Sequence, residues 1–180
     1  MSLKPYKLIS KEIIYDSYRK LGKWTFELPD GRKHSYEIVI RNDAVGVFAI
    51  TEDNKVILVK QFRPGLEKVM IELPAGDVDE GEDKLETAKR ELLEETGYTG
   101  DFEYITSFPM DAYATKWKHA FIARNCKKTK EQKLERNEFL EVMQIPFDNF
   151  VKKVKSGEIE DAYAPIILFH LSSKLVSNSK

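Results

Sequence analysis

"GDVDEGEDKLETAKRELLEETG", residues 76 to 97, decides how the chain is read. Pro74 and Gly76 end a strand just before it; an acidic loop follows, and then the hydrophobic period changes. From Asp83 to Thr96 the apolar residues Leu85, Ala88, Leu92 and Leu93 share one side of a helix, and Gly97 supplies its C-terminal stop. At about 100° per residue, Glu91, Glu94 and Glu95 occupy a wedge roughly 100° wide. That wedge borders the apolar stripe, with Glu95 nearest Ala88. A solvated face would lie opposite the core and mix its signs to gain i,i+4 pairs. Here only Arg90, four residues before Glu94, is at hand. Anions at a core boundary are costly unless a cation offsets them. Charge geometry alone leaves two readings open: a plain acidic surface, or the seat of a hard divalent ion that takes oxygen ligands. An EF-hand is excluded. Counted from Asp77, Gly81 is fifth rather than sixth and Ala88 stands where the twelfth-position glutamate belongs.

Working outward, the stretches before the helix read as strands. "KWTFELPDGRKHSYEIVIR" (23–41) has β-rich runs on both sides of Pro29-Asp30-Gly31, a hairpin signal. "AVGVFAI" (44–50) and "KVILVKQF" (55–62) are continuous apolar runs separated by the turn "TEDN", as expected of strands buried on both faces. After the helix come a strand at 102–107, a loop through 109–118, and a strand at "HAFIAR" (119–124). The charged connector "CKKTKEQKLERNE" and the strand "FLEVMQI" (139–145) follow. Two helices close the chain, one after Pro146 ending at Gly157 and one over most of 161–176. Mixed strands with few helices between them point to an α/β or α+β sandwich.

With 180 residues, 42% hydrophobic, the chain holds enough apolar material for one substantial core. Lys and Arg number 29 against 30 Asp and Glu, so no global basic footprint for nucleic acid or anionic membrane exists. The single cysteine, Cys126, allows neither an intrachain disulfide nor a cysteine-based zinc site. No apolar run reaches signal-peptide or membrane-span length, and the expectation is a cytoplasmic protein. His34, His119 and His170 lack metal-ligand spacing, and "CKKTKEQK" reads as a solvated loop. There is no Gly-rich dinucleotide fingerprint, nucleophile elbow or P-loop.

Gly76, five residues, Glu82, seven residues, then Arg90-Glu91-Leu92-Leu93-Glu94-Glu95-Thr96-Gly97-Tyr98 resembles the complete signature of the Nudix hydrolase family. The resemblance implies an α/β fold, the Nudix α/β/α sandwich of mixed sheets, with an N-terminal antiparallel β extension. It divides the chain into a β-rich dimerisation and substrate-binding extension at 1–42 and a hydrolase domain at 43–180. It also implies hydrolysis of a nucleoside diphosphate linked to another group, with magnesium or manganese. Carried over residue by residue, Glu91, Glu95 and the Ala75 carbonyl would ligate metal, with Glu94 close by. Arg90 and Glu82 would brace the loop and orient the ligands, and Gly76 and Gly97 would permit sharp turns.

"VILVKQFRPGLEKVMIELPAG" (56–76), "NEFLEVMQIPFDNF" (137–150) and "GEIEDAYAPIILFHL" (157–171) are similar to the branch that hydrolyses ADP-ribose and other nucleoside diphosphate sugars. In that branch Arg63 would contact the diphosphate or the terminal sugar, and N-terminal strands would exchange across a homodimer. Trp24, Phe26, Tyr113 and Trp117 would be candidates to stack on the base, with Arg41 also reaching substrate; ordinary hairpin or interface packing is the alternative for each. Glu138, with Glu135 second, would be the general base, Arg136 falling where some relatives place theirs. Pro109 matches a position associated with ADP-ribose hydrolysis, but the Ser-Pro-Gly pattern common in those enzymes is missing. That departure implies a looser pocket, accepting ADP-ribose and sugars such as GDP-mannose. Two other readings stay open: hydrolysis of dinucleoside polyphosphates or nucleoside triphosphates, and a non-catalytic sensor of ADP-ribose-like ligands. The complete signature argues against the sensor.

Overall fold

The hairpin signal at Pro29-Asp30-Gly31 is a turn in which the Gly31 N–H donates to the Leu28 carbonyl at 2.9 Å, with Gly31 at φ 85°. It joins β2 (Lys20–Glu27) to β3 (Lys33–Ile40). The computed structural model describes residues 4–134 and 136–177. An element that the sequence pattern had not marked out, β1 (Lys7–Tyr15), completes a three-stranded antiparallel sheet in the order β1-β2-β3. The chain packs as two compact units. The first is Met1–Asp43 with Phe108–Lys118, and the second is Ala44–Ser107 with His119–Lys180.

The segment 108–118 belongs with the first unit because it adds a partner to β3. The Val39 N–H donates to the Tyr113 carbonyl at 2.8 Å, and the Thr115 N–H to the Val39 carbonyl at 3.0 Å. Every residue of β1 is exposed, including Leu8, Ile9, Ile13, Ile14 and Tyr15.

A seven-stranded sheet supplies most of the second unit. Its elements are β4 (Ala44–Thr51), β5 (Lys55–Arg63), β6 (Lys68–Glu72), β7 (Ala75–Asp77), β8 (Tyr98–Pro109), β9 (Trp117–Lys128) and β10 (Leu140–Pro146). Three helices accompany it: α1 (Lys84–Thr96), α2 (Phe147–Ser156) and α3 (Tyr163–Ser177). The main path runs β10-β5-β4-β9-β8, with β6 paired to β5 and β7 to β4.

Strand alternation explains why β4 reads as an unbroken apolar run. Val45, Val47 and Ala49 face α1 and pack with Ala88 and Leu92. Phe48 faces the other way, against Phe147 and Phe150 of α2. On that second face a Cβ on Gly46 would lie 2.6 Å from the Tyr163 ring of α3. Both faces of the strand are therefore covered by helices, which is the expected sandwich.

The short strands β6 and β7 are finer than the sequence reading. β4 and β5 pair only near Ala49–Ile57 and Ile50–Val56 and then part. The segment 68–77 enters that opening. It pairs first with β5, up to Val59–Glu72, and then with β4 from Gly46–Ala75 onward. β8 and β9 are also longer than expected, each 12 residues, so Cys126–Lys128 belongs to a strand rather than to the charged connector.

Candidate active site

Helix α1 is set at both ends by its sequence. Asp83 caps the start, its side chain accepting from the Leu85 and Glu86 N–H groups at 2.9 and 3.3 Å. Gly97 ends it at φ 78°, donating its N–H to the Leu93 carbonyl at 2.8 Å. The carboxylate wedge then faces the edge of the β6–β7 segment. Glu95 is 3% exposed, and its Oε2 accepts the Ala75 N–H at 3.0 Å.

Gly76 is required for a different reason from the one read in the sequence. It lies within β7 and its φ is not positive, so no sharp turn is at stake there. Its missing side chain makes room for Glu91 instead: a Cβ would sit 2.0 Å from the Glu91 carboxyl carbon. Gly97 does occupy a left-handed turn. A Cβ there would also meet the Lys130 carbonyl oxygen at 2.1 Å.

Arg90 braces the cluster. Its Nε and Nη2 grip the two Glu82 oxygens at 3.0 Å each, a bidentate pair that holds the Glu82 carboxyl down at about 2. Its Nη1 donates to Glu91 at 2.7 Å and to Glu94 at 3.3 Å. Despite that help, burial pushes Glu91 up to about 7, with Glu94 and Glu138 adding repulsion. Burial likewise holds Glu95 well above the ordinary carboxylate range, and Glu91 and Glu138 reinforce it. Glu138 thus shares the electrostatic field of Glu91 and Glu95. Arg63 shares it too, its charge opposing the rise at Glu95.

Hard oxygen donors with excess, half-neutralised negative charge suit a divalent cation. The Ala75 carbonyl is a further candidate donor. A strand residue sends its N–H and C=O to the same edge, and the Ala75 N–H meets Glu95, so its carbonyl lies on the helix side. Among the described residues, no three His, Cys, Asp or Glu side chains are drawn together as a closed cage for an ion. Arg90 occupies Glu91 and Glu94 instead.

Arg63 ends β5 and is held by Glu72, Nε to Oε2 at 2.7 Å. Glu72 was not singled out in the sequence, although it stands in "IELPAG"; it ends β6 opposite Val59, and the Arg63 side chain reaches it along the sheet face. The remaining candidates lie in the first unit. Phe26 packs edge-on to Tyr6 and Tyr36, and Trp24 lies under the Lys11 ammonium at 4.1 Å. Tyr113 is exposed and tilted against Tyr36 at 6.0 Å. Trp117 is 47% exposed, and its backbone N–H donates to Asp43 Oδ1 at 3.0 Å. The Arg41 backbone is fixed from both sides by the Thr115 hydroxyl, at 2.9 and 3.0 Å. Glu135 lies outside the described residues. His119 is buried and His34 exposed.

The model of the NUDIX domain matches residues 40–165. The chain belongs to the Nudix family. An ADP-ribose pyrophosphatase of Bacillus subtilis is 40% identical over 172 residues, covering 93% of each chain. A GDP-mannose pyrophosphatase of Cronobacter sakazakii is 30% identical over 183 residues, covering 92% of this chain and 94% of its own. Among solved structures, one described as an ADP compounds hydrolase superposes with a TM-score of 0.84 over 99% of this chain and 98% of that one; at 22% identity it shows the fold alone. Nudix hydrolases generally use divalent metal ions, which agrees with the donor set of α1 and Ala75. Among the described residues, no helix is long and apolar enough to cross a membrane.

Proposed function

We propose that this Nudix chain hydrolyses the diphosphate bond of nucleoside diphosphate sugars, ADP-ribose foremost and GDP-mannose as a further substrate, with magnesium as its ion. The observation that carries the reading is the carboxylate wedge on α1. Glu91 and Glu95 are pressed against Gly76 and Ala75, and Glu138 shares their field. Relatives matched over nine-tenths of the chain act on such sugars by name.

Glu91, Glu95 and the Ala75 carbonyl would hold the ion, which neutralises the diphosphate and lowers the pKa of bound water. Glu138 takes a proton from the attacking water. A phosphorus–oxygen bond of the bridge breaks, leaving a nucleoside monophosphate and a sugar phosphate. Arg63, steadied by Glu72, binds the diphosphate. Arg41, Trp24, Phe26, Tyr113 and Trp117 belong to the nucleoside side of the reading; the exposed rings of Tyr113 and Trp117 suit stacking on any base. An edge strand with exposed Leu8, Ile9, Ile13 and Ile14 supports a homodimer formed through residues 1–42. A monomer by light scattering would remove that part.

The decisive assay is a panel with magnesium: ADP-ribose, GDP-mannose, UDP-glucose, diadenosine polyphosphates and nucleoside triphosphates. Sugar phosphate release from the first two, with little turnover of triphosphates, is expected. Turnover confined to polyphosphates would overturn the substrate class, and tight binding without turnover would leave a sensor.

A further inference from the structure

The passage from β6 to β7 is a point where the backbone changes ladders. Glu72 is the last residue paired to β5, and Ala75 is the first paired to β4. Between them Pro74 carries no N–H, and its carbonyl accepts from Val47 at 2.9 Å. The Leu73 N–H is left between the two ladders and buried, where an unmade bond is expensive. It is taken by the Asp161 carboxylate, Oδ2 at 2.8 Å. Asp161 is itself buried, at 8% exposure, and its other oxygen accepts the Tyr163 N–H at 2.6 Å at the start of α3. Tyr163 in turn fills the space over Gly46, the residue paired with Ala75.

We propose that Asp161 is a positioning residue for the metal-binding loop: by holding Leu73 it fixes where the Ala75 carbonyl meets the carboxylates of Glu91 and Glu95. Only Pro74 lies between Leu73 and Ala75, so the placement of Leu73 bears on where that carbonyl sits. The opposite side of the same loop is held by Glu95, through the Ala75 N–H. The loop is thereby gripped between the last helix and the carboxylate helix. Capping α3 needs only Oδ1; the bond from Oδ2 to Leu73 is surplus to a cap and serves the loop. The inference rests on the metal reading of Ala75, Glu91 and Glu95 given above.

The test is Mn2+ binding to the full chain, read from the paramagnetic resonance of the free ion, for wild type, Asp161→Asn, Asp161→Ser and Glu95→Gln. Melting of each protein without metal is measured alongside. Both Asp161 variants keep one acceptor for Tyr163 and lose the second grip. The expected result is Mn2+ binding weakened about tenfold or more at temperatures where the variant is fully folded. At saturating metal, kcat should largely recover. The serine variant stands in if the asparagine one fails to fold. Lower melting with unchanged Mn2+ affinity would reduce Asp161 to a helix cap and overturn the proposal. Absence of Mn2+ binding by wild type, or unchanged binding by Glu95→Gln, would instead bring down the metal reading, and the clamp with it.

Discussion

Gly76→Ala isolates the close approach on which the carboxylate site depends. The backbone at residue 76 is ordinary strand without positive φ, so alanine meets no conformational barrier there. The whole effect comes from the new methyl group. It would stand 2.0, 2.1 and 2.5 Å from the carboxyl carbon and the two oxygens of Glu91, whereas ordinary contact begins at 3.4 Å. Glu91 must therefore withdraw by about 1.4 Å or swing away. Metal–oxygen distances tolerate only about 0.2 Å, and a misplacement of about 1 Å near reacting atoms costs on the order of a hundredfold in rate. The expected outcome is a folded protein with kcat/KM for ADP-ribose lowered about a hundredfold and Mg2+ activation shifted to higher concentration. Steady-state kinetics across a Mg2+ titration, with circular dichroism to confirm folding, would read it. A variant with wild-type kinetics and metal requirement would show that Glu91 does not need its place over residue 76, and the reasoning would fail.

Metal-free stability should fall as pH rises. Below pH 4.5 the Glu91 carboxyl is protonated whether the chain is folded or not; between 4.5 and about 7 the unfolded chain loses the proton first. Stability drops by roughly 3 kcal/mol across that window, and Glu95 acts in the same direction. Melting curves without metal, compared with Glu91→Gln, check it; a flat wild-type profile would refute it. Glu138→Gln should cut kcat by about 10²–10⁴-fold and leave Mg2+ binding nearly intact, as read by single-turnover kinetics with ADP-ribose. An unchanged rate would move the base elsewhere.

The signature helix was legible because it is local. A helix with Asp83 at one end and Gly97 at the other must place Glu91, Glu94 and Glu95 on one wedge, whatever the rest of the chain does. The apolar runs of β4 and β5 likewise announced burial on two faces, and alternation against α1 and α2 accounts for it. The first unit was less legible. β1 has apolar residues but buries none of them, so no alternation between core and solvent marked it as a strand.

The sequence by itself determined the carboxylate helix, its C-terminal stop and the family, because these follow from spacing within some twenty residues. Only the tertiary structure decided what Gly76 is for. Its neighbour Glu91 is fifteen residues away along the chain, and no local rule brings that carboxylate over a strand. The same holds for Asp161, which reaches Leu73 across 88 residues. A backbone that changes ladders leaves an N–H whose partner must come from elsewhere, and the fold alone says from where.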